Sequence, residues 1–307
     1  MHDPLDELTT TPRIPITAPV RRARADIRAA IADVVAVPDD ALERPWRWHA
    51  DDPGDLDVRY GLYRLHESLE ESAAAVAASR TDGVAGPAVP LLAASGAARW
   101  ELNGALAGLP DDAWDADPGG GEWTVRRTVA HVISAQRAYG WTTAWFLHRA
   151  GEADAGEYAP EGALPPEPEE ASEADGSVVD VIARLDDLVD QAIETLAGLD
   201  AAGLAAPGRW SGIPITVVFR INRLGSHIRE HTIQVDKTVA MLGRPVHEAD
   251  RIARLVLGSY GRLEALVVGR HSGSADADLA IVETAAREAA LSAADARAAA
   301  GAGVSGA

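Results

Sequence analysis

One unit recurs three times along this chain of 307 residues: a helical segment, a loop carrying tryptophan, and a second helical segment carrying histidine. The pairs are Trp48 with His66, Trp123 with His131, and Trp210 with His227. Shorter echoes support the repeat. Val37-Pro-Asp-Asp-Ala-Leu42 returns as Leu109-Pro-Asp-Asp-Ala-Trp114, and Ala105-Leu-Ala-Gly-Leu109 returns as Thr195-Leu-Ala-Gly-Leu199. Units whose apolar positions recur at helical spacing bury those faces against other helices. The expected fold is all-α, an up-down helical bundle whose helix pairs assemble as antiparallel hairpins about an approximate twofold axis.

Periodicity places helices at about 18–36, 57–79, 91–109, 124–150, 177–199, 214–242, 248–268 and 276–299. Thr124 can cap the fourth, Pro214 suits the first turn of the sixth, and Gly243-Arg-Pro245 stops it. The chain then divides into a flexible leader (1–17, with Pro12 and Pro15), an N-terminal helical hairpin packed on the bundle (18–87), the four-helix bundle itself (88–245), C-terminal helices (246–300) and a flexible tail (301–307). The last helix is Ala-rich and expected to fray. Residues 151–175, acidic and rich in Pro, Ala and Gly, read as a long mobile excursion with little packing, a lid over a site being the functional alternative.

Composition narrows the chemistry. Apolar residues make up 47% of the chain, enough for a substantial core. A net charge of −19 repels phosphate backbones, so nucleic acid is not an expected partner. Lys237 is the only lysine, which reads as the bias of a GC-rich genome. There is no cysteine, hence no disulfide, no thiolate nucleophile and no Cys-ligated metal; a thiol reaction would need an external thiol. No apolar run reaches the ~18 residues of a membrane span, and the acidic N-terminus lacks a signal peptide's pattern, so a cytoplasmic protein without membrane contacts is expected.

His227 and His231 stand four residues apart in one predicted helix, and positions i and i+4 share a face. Two imidazoles on one face begin a metal site or a buried polar pair. A third ligand must come from another helix. His131 is the candidate, with His66 (next to Glu67) as its counterpart in the N-terminal unit. Spacing does not choose between them, and a lone histidine on an amphipathic helix is commonly a hydrogen-bonded core or surface residue.

Trp123-Thr-Val-(x)5-His131, with His227-(x)3-His231 on a later helix, resembles the DinB/YfiT-like superfamily of metal-binding four-helix bundles over roughly residues 88–245. The resemblance implies that His131, His227 and His231 bind a divalent metal: Zn2+ first, with Ni2+ or Fe2+ as alternatives. It also implies a small-molecule substrate. Members include S-transferases and isomerases that use mycothiol, bacillithiol or glutathione, and metal-dependent hydrolases. A mycothiol-like thiol-dependent transferase or isomerase is therefore the leading expectation. A hydrolase working through metal-bound hydroxide is the alternative, and a non-catalytic helical binding or stress-response module is a third reading. The departure from the family pattern lies in residues 18–80 and 248–299, which are expected to enlarge the bundle, cover the site or form a homodimer surface.

Two other motifs compete. His227-Ile-Arg-Glu-His231 fits the His-x-x-Glu-His string of inverted zincins, but the repeat and helix pairing favour the bundle. Glu230 then becomes a solvated carboxylate or a support for the metal ligands. Iron-dependent sulfoxide synthases resemble His-(x)3-His-x-Glu, but Ile233 stands at the last position here. Arg220 and Arg223 are candidates for binding a carboxylate on substrate or thiol, with a salt bridge to an acidic neighbour as the plainer reading. Trp141 and Trp145 are candidates to wall a pocket, or else core residues.

Overall fold

The computed structural model describes residues 3–7, 13–47, 56–79, 86–270 and 275–301. Pro12, Trp48 and residues 302–307 of the tail lie outside them. Among the described residues the chain is helical: α1 (Ala18–Val35), α2 (Val58–Ser79), α3 (Val89–Leu106), a short α4 (Asp111–Asp115), α5 (Val125–His148), α6 (Val178–Leu196), a short α7 (Ala201–Leu204), α8 (Val217–Met241), α9 (Glu248–Ala265) and α10 (Asp276–Gly301). Two antiparallel strand pairs interrupt it, β1 (Pro45–Trp46) with β2 (Leu56–Asp57) and β3 (Pro207–Trp210) with β4 (Ile213–Thr216). No helix is long and apolar enough to cross a membrane among the described residues.

The helices form two four-helix rings, each with its own hydrophobic core. In one ring the neighbours are α3, α8, α5 and α6; in the other they are α1, α9, α2 and α10. Ion pairs give the directions. Arg59–Glu248 and Arg262–Glu70 make α2 parallel to α9, while Arg22–Glu283 and Arg297–Asp33 make α1 parallel to α10. In the first ring, Thr238 Oγ1 donates to the Trp123 carbonyl and Gln136 Nε2 to the Leu224 carbonyl, so α5 runs antiparallel to α8. Arg126, at the start of α5, reaches the carbonyls of Ala174 and Gly176, at the start of α6, so those two helices begin at the same end.

The pairs α1 and α2, α3 and α5, α6 and α8, and α9 and α10 therefore sit across their rings, and α5 and α6 are parallel neighbours, in place of the expected side-by-side antiparallel hairpins. The connections allow this: 107–124 is long enough to cross the end of a bundle, and 149–177 is long enough to run back from the end of α5 to the start of α6. The sequence echo marks the same joint in both rings. After α1, Pro38 precedes a 3-10 turn at Asp39–Ala41; after α3, Pro110 precedes α4. The flanking segments thus close on each other as a second bundle, with the first inserted between α2 and α9.

Three local expectations change. The sixth predicted helix starts at Val217 and not at Pro214, because Pro214 lies in β4. The Ala-rich last helix is no loose end: Ala286, Ala293 and Ala296 are fully buried, small side chains that let α10 approach α1 and α2 closely. The leader is docked where it is described. Leu5 is buried against Gly140 of α5, and the backbone amides of Ile14 and Ile16 donate to Glu194 of α6.

The two rings meet where α3 packs on α9. Glu264, fully enclosed, takes Arg24 through Nε at 2.9 Å and Nη2 at 2.9 Å, Arg99 at 2.7 Å and the Trp100 indole at 3.2 Å. Arg99 also holds Asp190 of α6 at 2.6 Å. Four helices from both rings share this buried network.

Candidate metal centre

Helices α5 and α8 carry the site. Thr124 caps α5 by accepting the Arg127 amide at 3.2 Å, which sets His131 two turns in, and Trp123 lies edge-on to its ring at 5.2 Å between centroids. On α8, Gly225 lets the helix approach α3: a Cβ there would stand 3.1 Å from the Ser95 Cα. Two residues later comes His227, then His231 one turn on.

The three histidines meet. Ring centroids are 5.2 Å apart for His131–His227, 4.8 Å for His131–His231 and 4.4 Å for His227–His231. One nitrogen from each lies within 4.8 Å of the others, and the Nε2 atoms of His227 and His231 are 3.1 Å apart. His227 is buried, while His131 and His231 are half-buried, leaving one side of the cluster open.

Hydrogen bonds at Nδ1 orient two of the rings. His131 Nδ1 pairs with Glu170 Oε2 at 2.9 Å, and His231 Nδ1 with Gln234 Oε1 at 2.8 Å. Both acceptors place the proton on Nδ1 and leave the Nε2 lone pair free to face the cluster. His227 Nδ1 is buried without a partner. Burial, reinforced by the neighbouring charges of His231 and His131, holds His227 down at about 3, and burial also lowers His231. Both are neutral at physiological pH, the state in which imidazole binds a metal. Two lone pairs converging at 3.1 Å repel unless a proton or a cation lies between them. Three neutral imidazoles with an open side suit a divalent ion that retains exchangeable positions.

The connection 149–177 reaches this site, contrary to the expectation of a loose excursion. Its 3-10 turn, Glu170–Ala174, packs on α5 and supplies Glu170; buried Glu173 binds Arg137 through two bonds of 2.7 and 3.0 Å. Glu173, which looks solvated in sequence, is here matched to Arg137 of α5, and Arg184 of α6 donates to the carbonyls of Glu173 and Asp175.

Tyr139 lies 5.3 Å from the His227 ring and 5.3 Å from Trp210, so Trp123 and Tyr139 border the cluster and Trp210 stands behind Tyr139. Of the other candidates, Arg223 makes two bonds to Glu230, at 2.6 and 3.0 Å. That engages Glu230 with arginine and not with a histidine. Arg220 is buried between Trp210 and Phe146 and donates to the Arg209 carbonyl, and no carboxylate pairs with it among the described residues. Trp141 is buried beside Arg137, and Trp145 lies under the connection, donating to the Glu157 carbonyl at 3.0 Å; neither ring contacts the histidines. His66 sits on α2 near Glu70 and Arg262, and Glu67 pairs with Arg64, so the second ring brings neither to the cluster.

Residues 96–235 match the family model of the DinB superfamily. This stretch belongs to the DinB superfamily. It spans all three histidines, most of the first ring and the connection that carries Glu170. No curated protein and no solved structure matches the chain significantly. Glu170, Gln234 and Tyr139 were not anticipated from sequence. Gln234 had a signal, since i and i+3 are neighbours on a helix; Glu170 lies in a segment without periodicity.

Proposed function

We propose that this DinB-type protein is a divalent-metal-dependent enzyme, with His131, His227 and His231 holding the ion, that transfers or isomerises a small molecule using a low-molecular-weight thiol such as mycothiol. The observation that carries the reading is the meeting of three imidazoles, two of them kept neutral by burial, in a chain without cysteine. A divalent cation bound by such ligands supplies acidification of a thiol or water and polarisation of a carbonyl. Zn2+ suits the set best, and Ni2+ and Fe2+ accept the same donors.

The chain's own residues would do the rest. Glu170 and Gln234 keep protons on Nδ1 so that the facing nitrogens stay available. Trp123, Tyr139 and Trp210 offer an aromatic wall for the apolar part of a substrate. Arg220, two turns before His227 on α8 and without a carboxylate partner among the described residues, is the cation that a carboxylate on substrate or thiol would meet, whereas Arg223 would first have to leave Glu230.

Elemental analysis of purified wild type beside His227→Ala tests the metal. About one equivalent in wild type and a loss in the variant is the expected result; equal contents would remove the basis for this reading. Assays with and without added thiol then test the chemistry. Turnover that needs thiol supports the transferase or isomerase, whereas thiol-independent turnover identifies a hydrolase.

A further inference from the structure

The acidic connection between α5 and α6 touches the histidine cluster through one side chain. Glu170 is the carboxylate that bonds a ring nitrogen of the three histidines among the described residues, at 2.9 Å from His131 Nδ1. Gln234 is neutral, His227 Nδ1 has no partner, and Glu230 is occupied by Arg223. The turn that carries Glu170 is anchored independently of it. Glu173 holds Arg137, Arg126 donates to the Ala174 carbonyl at 2.9 Å, and Arg184 reaches the carbonyls of Glu173 and Asp175.

Glu170 and His131 are both partly exposed, so a bond between them adds little stability by itself. Its physical value changes once a cation sits on the far nitrogen. The ring then becomes a stronger N–H donor, and the carboxylate offsets part of the ion's charge. Three neutral imidazoles leave the full double charge of the ion otherwise uncompensated by the ligands.

Resting on the metal reading above, we propose that Glu170 is a positioning residue for the ion, and that metal occupancy and seating of the 170–176 turn are coupled. The coupling is reciprocal by linkage: whatever the seated turn adds to metal affinity, bound metal adds to the seating of the turn. The connection is then a segment whose order reports whether the centre is loaded.

The experiment measures Zn2+ affinity by competition with a chromophoric chelator for wild type, Glu170→Ala, Glu170→Gln and the charge control Glu230→Gln, alongside hydrogen exchange at residues 170–176 with and without Zn2+. Wild type is expected to bind. Glu170→Ala should bind about 10–100-fold more weakly, as removal of a carboxylate behind a ligating histidine does. Glu170→Gln, which keeps an acceptor without its charge, should fall between; a purely structural role in the turn would leave it like wild type. Glu230→Gln should stay within about threefold, being bonded to arginine and not to a ligand. Zn2+ should slow exchange at 170–176 in wild type and much less in Glu170→Ala. Unchanged melting of Glu170→Ala without metal would show that folding is intact. Wild-type affinity in Glu170→Ala, or exchange indifferent to Zn2+, overturns this inference alone. A wild type that binds no divalent ion overturns the metal reading and this one with it.

Discussion

Gly225 shows how one residue sets the distance on which the cluster depends. A Cβ at this position meets Ser95 backbone atoms at 3.1 and 3.2 Å, and backbone cannot swing aside as a side chain can. Gly225→Val should destabilise the protein by about 1–3 kcal/mol, the usual cost of overpacking, measured by denaturant unfolding. Because His227 follows two residues later, the variant should also bind Zn2+ more weakly than wild type. Unchanged affinity would mean that α8 absorbs the displacement before the histidines. At this scale much of the site was legible. His227 and His231 share a face by spacing alone, and the Trp123-to-His131 pattern supplied the facing helix. The environment that tunes the imidazoles was less so. Burial of His227 is a tertiary fact, and Glu170 comes from a stretch whose composition resembles solvated linker.

Among the elements, the β3–β4 hairpin, like the β1–β2 pair, was not revealed by periodicity. Pro214 suits a helix start, but Trp210-Ser-Gly-Ile213 also carries a turn signal. Ser211 and Gly212 take φ of +48° and +81°, two successive left-handed residues, as a tight hairpin turn between right-twisted strands requires. The hairpin places Trp210 against Tyr139 and over Arg220. Gly212→Val should cost about 1–2 kcal/mol, the strain of a β-branched L-residue in that region, readable as a lower melting temperature. Gly212→Asn should cost less, since Asn tolerates the conformation. Equal losses would mean that the turn relaxes into another form. Helix ends were read more closely than loops because capping is local: Thr124 caps α5, and Ser177 opens α6 with a reciprocal capping box to Asp180. The connection 149–177 defeated composition because its order comes from Arg126, Arg137 and Arg184, which lie outside it.

On the scale of the whole molecule, the two rings share ring order and helix directions, yet only one gathers histidines among the described residues. The other contributes α9, and with it Glu264, to the junction. Burial alone would raise the Glu264 pKa, but the charges of Arg24 and Arg99 and their hydrogen bonds outweigh it and hold the group at about 2. Since its ordinary value is 4.5, the charged form is favoured by folding: the contribution is fully present above that value and is lost as pH falls toward about 2. Asp186 opposes this, because burial raises its pKa against the pull of Arg99 and Arg28, so its charged form is disfavoured by folding. Glu264→Gln leaves two buried guanidinium groups short of their shared anion, and should destabilise by about 3–5 kcal/mol at neutral pH. The deficit should shrink on acidification below about pH 4.5, where the wild-type carboxylate begins to lose its own advantage. Urea unfolding of both proteins between pH 3 and 7 measures it; a constant difference across that range would show that the network acts through packing and not through charge. The same curves test whether the rings unfold together. Arg24 of α1 and Arg99 of α3 share one carboxylate on α9, so wild type should unfold in a single transition, with any splitting appearing first in Glu264→Gln.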